Sequence, residues 1–257
     1  MAVTLEGGCR VSEMHDGQPL VAGTLRVWPQ IGRATGAQAI SLRVMEFATG
    51  MSPGIRNDGC DEILYVVEPE LFSCADVPRQ ILINGNSYDV TPGTGIFLAP
   101  GQTFALDNPG PHSVSLVSSQ CPDPDRPHQF RTGMPTSQAP TPTPIVRLAD
   151  QKAQPTADRW YRVLIDERVG STQVTQFVGS IPPGRAPDHF HHYEEVLFIL
   201  KGEGRMWAGE TNAPISRGSC IYLPKGQIHC VENTGEGELR LLGVFYPAGS
   251  PSVRYET

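Results

Sequence analysis

The sequence predicts an all-β protein of two similar barrels or sandwiches joined by a proline-rich connector. Three observations predict it: abundant turn residues, one internal repeat, and short apolar runs at close spacing. Of the 257 residues, 27 are glycine and 24 proline, while charged residues are only 18%, so turns are frequent and long charged helices are not expected. The length exceeds one typical domain of ~100 to 150 residues and suits two that share a large interface. Hydrophobic residues make 39% of the chain, enough to argue against disorder.

The repeat is read without a gap. Gly93 to Gly110 (GTGIFLAPGQTFALDNPG) and Gly218 to Gly235 (GSCIYLPKGQIHCVENTG) align at an offset of 125, with seven of eighteen positions identical. Upstream, Glu62-Ile-Leu-Tyr-Val-Val parallels Glu195-Val-Leu-Phe-Ile-Leu, each an acidic residue followed by an apolar run rich in β-branched and aromatic side chains. Both read as buried strands. A period near 125 to 133 residues marks a duplicated domain rather than a solenoid, whose units are about 20 to 50 residues long.

Taken in chain order, Leu42 to Phe47, Glu62 to Val67 and Ile81 to Ile83 are strand-like runs between Gly, Pro, Asn and Asp turn signals, and the first copy of the repeat closes a domain at 1–120. The connector, 121–156, holds eight prolines and the low-complexity run Ser137-Gln-Ala-Pro-Thr-Pro-Thr-Pro144. Lost donors and a stiff backbone place it on the surface, with a helical turn only near Val146 to Lys152. The second domain, 157–257, repeats the pattern with Tyr161 to Ile165, Glu195 to Leu200, the second copy of the repeat and Leu239 to Tyr246. Many short strands at close spacing are the signature of a β-sandwich or barrel.

Composition also excludes partners and compartments. A net charge of −7 without a long basic run argues against nucleic acid. The first twenty residues lack a basic stretch followed by an apolar one, and runs such as Val196 to Leu200 are too short to span a bilayer. The expectation is a cytoplasmic protein that acts on a small molecule, as a monomer or homodimer. The six cysteines, Cys9, Cys60, Cys74, Cys121, Cys220 and Cys230, form no CxxC pair and read as small buried apolar residues.

The chemistry falls in the second half. In Asp188-His-Phe-His-His-Tyr-Glu-Glu195, His189 and His191 are two apart, so on a strand both imidazoles face one side. A tight turn after them would bring the Glu195 carboxylate back to the same point, and His229 opens the strand after the turn Pro224-Lys-Gly226. Three imidazoles and a carboxylate suit Fe(II), Mn(II), Ni(II), Cu(II), Co(II) or Zn(II), with two octahedral positions left over.

At these residues the chain resembles the cupin superfamily. Gly184, His189-x-His191, Glu195 and Gly202 resemble its first motif, one residue shorter before the first histidine. Gly218, Pro224-x-Gly226, His229 and Asn233 match its second motif at every spacing. The resemblance implies a bicupin, two tandem jelly-roll β-barrels, with a metal held by His189, His191, Glu195 and His229. In the first half, Gly54 to Glu62 is three residues shorter and has no histidine, and Phe104 stands where His229 stands in the second. One metal per chain follows, and the first barrel reads as structural or as an apolar ligand pocket.

Other residues have lesser claims. His192, Glu194 and Tyr222 are candidates to move a proton, although residues of alternate parity face away from the ligands or toward solvent. Alternation from Glu195 puts Leu197 and Ile199 on the cavity side and Val196, Phe198 and Leu200 on the other, so the strand is buried twice. Trp207, Tyr222, Phe245 and Tyr246 are candidate pocket walls, and Arg205 and Arg240 candidate carboxylate anchors. His15, His112 and His128 stand alone and read as surface residues. Among activities that the resemblance allows, an Fe(II) dioxygenase acting on a chelating enolic, phenolic or carboxylate substrate comes first. A redox-neutral lyase, isomerase or cyclase comes second, and a non-catalytic ligand binder third.

Overall fold

A computed structural model of the chain describes residues 1–57, 59–69, 79–133 and 143–252. Strands form where apolar residues alternate, and glycines carry the turns between them: Gly101 and Gly226, at matching places in the repeat, adopt φ of +85° and +79°, where a Cβ would be strained. Each half is two antiparallel sheets packed face to face, the sandwich or barrel that the turn-rich composition predicts and the jelly roll that the cupin resemblance implies.

In the second half the larger sheet runs Ser219–Leu223, Glu194–Lys201, Leu239–Tyr246, Thr175–Ile181, Arg159–Ile165 and Gln154–Thr156. Facing it are Gly184–Arg185, His229–Asn233, Glu203–Ala208 and Thr211–Ser216. The first half repeats this with Thr94–Leu98, Asp61–Val66, Val114–Cys121, Leu42–Phe47, Leu25–Ile31 and Leu20–Ala22. The duplication extends to single hydrogen bonds. Asn108 Nδ2 donates to the carbonyls of Phe47 and His112, and Asn233 Nδ2 to those of Ile181 and Gly237; Gly110 N and Gly235 N donate to the respective Oδ1 atoms.

The strand pairing departs from the division at 120 and 156. Arg10–Glu13, with Val3–Thr4 outside it, joins the second barrel's sheet beside Ser219–Leu223, and Ile145–Arg147 from the connector joins the first barrel's sheet beside Thr94–Leu98. Each barrel therefore carries the arm that precedes the other. Exposed sheet edges are costly to leave open, and the exchange covers the same edge in both. Gln129–Arg131 also pairs back onto Gly54–Arg56, so this part of the connector belongs to the first barrel. The Val146–Lys152 region does contain a short turn, a 3-10 helix over Leu148–Asp150. The proline run at 137–144 lies mostly outside the described residues.

Three apolar cores result. One fills the first barrel with Leu64, Val66, Phe104 and Leu106, and one fills the second with Leu197, Ile199, Val231 and Phe245. The third lies between the barrels, where Ile63, Tyr65 and Val117 meet Val196, Phe198, Leu200 and Val244. The strand Glu194–Lys201 is thus buried on both faces, with the parity its sequence indicates. Among the described residues five cysteines are unbridged and buried; Cys74 lies outside them. No helix among the described residues is long and apolar enough to cross a membrane.

Phe198 is 1% exposed in the core between barrels. Phe198→Ala should destabilise the protein by about 3 to 5 kcal/mol, whereas Val21→Ala, on an exposed edge strand, should stay within about 0.5 kcal/mol. Denaturant unfolding of the two variants checks this; equal midpoints would show that the barrels do not depend on each other.

Candidate metal centre

The arm Asp188 to His191 crosses the mouth of the second barrel, where His189 and His229 are paired as an antiparallel bridge. His189 N donates to His229 O at 3.0 Å and His229 N to His189 O at 2.8 Å. Directly opposed residues share a face, so their rings lie 4.4 Å apart. His191 follows two residues later with its ring 4.9 Å from that of His189, and Gly226 N, in the turn before His229, donates to His191 O at 2.8 Å. A bend at residues 192–193 then returns the chain to the strand Glu194–Lys201. This brings Glu195 Oε2 to 3.5 Å from His191 Nε2 and 3.9 Å from His229 Nε2.

The donor set fits a divalent ion. Ligand nitrogens of His189, His191 and His229 lie within 4.8 Å of one another. His189 Nδ1 contacts Pro187 O at 3.1 Å and His229 Nδ1 contacts Gln227 O at 2.8 Å. With those nitrogens holding the protons, both Nε2 lone pairs face the cluster. Burial, reinforced by the neighbouring imidazoles, depresses His191 and His229 to about 3, so both rings are neutral donors at pH 7. Burial pushes the Glu195 carboxyl up to about 8, as expected of a buried carboxylate without a compensating cation. His191 is held from its other face by Tyr193, stacked at 4.7 Å and 10°, and its Nδ1 is buried without a hydrogen-bond partner.

The cluster opens into a pocket of about 110 Å3 whose walls include Tyr161, Phe177, Leu197, Leu241 and Phe245. Of the aromatic residues offered as walls, only Phe245 lines it. Tyr222 and Tyr246 belong to the core between barrels, and Trp207 lies under Arg185, with its Nε1 donating to Glu232.

The structure places none of the three proton-transfer candidates in the pocket. Glu194 precedes the cavity-facing Glu195 and so faces the other barrel. There its carboxylate accepts from Gln38 N at 2.8 Å and Ala39 N at 2.7 Å, and from the Tyr222 hydroxyl. Glu194 and Tyr222 thus clasp the first barrel, one residue from the cluster but on the opposite face. His192 is exposed at the bend, its ring against Phe190, and does not line the pocket. Arg205 donates to Asn212, and Arg240 pairs with Glu238. The arginine that does line the pocket is Arg159, which has no motif around it to mark it.

The corresponding place in the first barrel holds a different solution. Glu62, the counterpart of Glu195, is fully buried, as is Phe104, the counterpart of His229. Its Oε1 accepts from Ser118 Oγ at 2.6 Å and lies 2.7 Å from His128 Nε2, and its Oε2 accepts from Gln120 at 3.2 Å. Burial alone would raise this carboxyl, but the His128 imidazole, its hydrogen bond, that of Ser118 and the Arg43 charge hold it below the usual carboxylate range. His128 is therefore a buried residue and not a surface one: the connector swings it into the barrel, which no local pattern announces. His15 and His112 are exposed, as expected.

Comparison with known proteins accords with this geometry. A family model described as Cupin domain matches residues 177–245. An uncharacterized protein of Aquifex aeolicus is 31% identical over 108 residues, 36% of this chain and 88% of that protein. The oxalate-binding protein of Thermotoga maritima is 36% identical over 66 residues, 25% of this chain and 54% of its own length. Auxin-binding protein 1 of Arabidopsis thaliana is 34% identical over 83 residues, 28% and 42% respectively; this chain spans about half the length of these last two. Among solved structures, a variant of Bacillus subtilis oxalate decarboxylase superposes with a TM-score of 0.73 at 12% identity, covering 92% of this chain and 76% of that one. The same enzyme at pH 4.6 gives 0.69 at 13%, over 92% and 75%. At such identity the likeness is one of fold, and it takes in both barrels.

Two outcomes follow. His191→Ala or His229→Ala should weaken divalent-metal binding about 100-fold or more, and His192→Ala by no more than a few fold, measured by competition with a chelating dye; the reverse order would place the ligands wrongly. His128→Ala should destabilise the fold by about 3 to 5 kcal/mol by stranding Glu62. Since the folded Glu62 carboxyl lies below its unfolded value, its contribution is complete above about pH 4.3 and is lost as pH falls through the folded value. Denaturation at pH 7 and across the acid range should show that dependence in the parent and not in His128→Ala.

Proposed function

The chain belongs to the cupin superfamily as a bicupin, and on that footing we propose that it is a metal-dependent enzyme, an Fe(II) dioxygenase of a small chelating substrate. The observation that carries this reading is the scarcity of proton-transfer groups in the pocket. Among the described residues, the ionisable ones lining it apart from the cluster are Arg159 and Tyr161, and the Tyr161 hydroxyl is engaged with Gln154 Oε1 at 2.9 Å. Glu194, Tyr222 and His192, which a redox-neutral mechanism would call on, point elsewhere.

When bound at the cluster, a divalent iron supplies the electron transfer to dioxygen that no side chain offers. The residues of the chain do the rest. His189, His191, His229 and Glu195 would supply four donors to such an ion. Phe177, Leu197, Leu241 and Phe245 keep water from the reacting end of the substrate and strengthen every polar contact made there. The clasp of Glu194 on the first barrel keeps the strand bearing Glu195 in register.

A redox-neutral lyase draws support from the relatives whose names refer to oxalate, since a small carboxylate would suit the same donors. Oxygen uptake separates the two. The Fe(II)-loaded protein, given an enediol or a phenol with an adjacent carbonyl, should consume O2 with turnover, and Glu195→Ala should reduce that about 100-fold or more. Turnover undiminished without air, with zinc replacing iron, would overturn the dioxygenase reading in favour of the lyase. Failure of every metal form to turn over would favour ligand binding alone.

A further inference from the structure

We propose that the pocket has a second polar end, a carboxylate-binding subsite formed by Arg159 and Thr156, so that its ligand is an organic anion with an apolar body between carboxylate and metal-binding group. This rests on the reading that the metal pocket receives the substrate, and it adds the substrate's charge and shape.

The hairpin Gln154–Thr156 to Arg159–Ile165 pairs Thr156 with Arg159 and Gln154 with Tyr161. Directly opposed residues share a face, and so do residues two apart on a strand; Arg159 therefore stands on the same side as Tyr161, which belongs to the barrel core. Arg159, Thr156 and Tyr161 all line the metal pocket. The remaining described wall is largely apolar and aromatic, with Phe177, Leu197, Leu241 and Phe245 among its residues.

Arg159 is placed as a binding group rather than as a surface charge. Its side chain is 14% exposed, and its ion-pair partner is the adjacent Asp158, 63% exposed, which meets Nε at 2.9 Å. Among the described residues the two terminal nitrogens, Nη1 and Nη2, have no hydrogen-bond partner. A guanidinium offers five donors in a planar fork, and one whose side chain is mostly buried while its Nη edge remains open to the pocket matches a carboxylate. Among the described residues no other lysine or arginine lines this pocket. The opposed Thr156 hydroxyl is the natural third donor. The apolar wall accounts for the middle of the ligand, since a small polyanion such as oxalate would leave it uncovered.

The test uses 3-phenylpropanoate and its uncharged counterpart 3-phenylpropanamide as probes of the full-length, metal-free protein, followed by ligand-detected NMR titration. The parent should bind the carboxylate about tenfold or more tightly than the amide. Arg159→Gln should bring the two affinities together by weakening the carboxylate alone, and Arg159→Lys should retain part of the preference. Equal affinities in the parent, or equal weakening of both probes by Arg159→Gln, would overturn the proposal. So would persistence of the full preference in a folded Arg159→Gln, with folding checked by thermal unfolding. Metal uptake, measured on aliquots of the same protein after addition of Fe(II), keeps the two readings apart. A carboxylate preference that depends on Arg159, in a protein that takes up no metal, would refute the enzyme reading and leave the subsite standing.

Discussion

A carboxylate in the interior of a barrel must be compensated, and this constraint organises the molecule. Both barrels place a glutamate at the same point of the same strand, Glu62 in one and Glu195 in the other, each nearly or wholly without solvent. Leaving such a charge unpaired costs several kcal/mol, so the group is paired, neutralised or bound to a cation. The first barrel pairs it internally with His128, Ser118 and Gln120. The second surrounds it with three histidines, two of which, His191 and His229, burial keeps neutral; neutral imidazoles donate lone pairs and supply no charge. Burial alone pushes the Glu195 carboxyl up to about 8, so a proton neutralises it at pH 7, and a divalent ion held by the same donors would let it ionise. One ancestral position thus supports a structural network in one copy and a metal centre in the other.

The first barrel nonetheless bears on the centre. Reciprocal exchange of Arg10–Glu13 and Ile145–Arg147 closes an edge of each sheet with the other's arm, and the core between barrels buries the outer face of the strand that carries Glu195. Glu194 then fixes that strand to the amides of Gln38 and Ala39. Along one strand, successive residues divide the work: Glu194 holds the assembly, Glu195 faces the cluster, Val196 packs between barrels and Leu197 lines the pocket. A change on either face is felt on the other, because the backbone between them is shared.

Much of this was legible in the sequence. The gapless repeat identifies two copies of one fold, and the spacing of His189, His191, Glu195 and His229 places four donors that the structure does bring together. Alternation along Val196 to Leu200 correctly divides the two faces. Parity also contained the fate of Glu194, since two adjacent strand residues cannot both face a cavity. Tyr222 required knowledge of how Ser219–Leu223 pairs with its neighbours, a register no local pattern fixes. The N-terminal arm makes contacts between residues some 200 positions apart and Ile145–Arg147 pairs with Thr94 to Ile96 across the whole end of the first barrel, beyond any short window of sequence. His128 sits in a proline-rich connector that looks like surface, and Arg159 becomes part of the pocket only once its strand is seated against Thr175–Ile181. His128 and Arg159 lie outside the repeated motifs and reach their places through tertiary packing.

The account stands most directly on where a bound cation sits. Anomalous diffraction from crystals of metal-loaded protein, recorded at the absorption edge of the ion, locates it independently of any assay. The account requires a single strong peak bounded by His189, His191, Glu195 and His229, with no anomalous density between Glu62 and His128. A peak in the first barrel, or metal bound only at the surface with the histidine cluster empty, would contradict it.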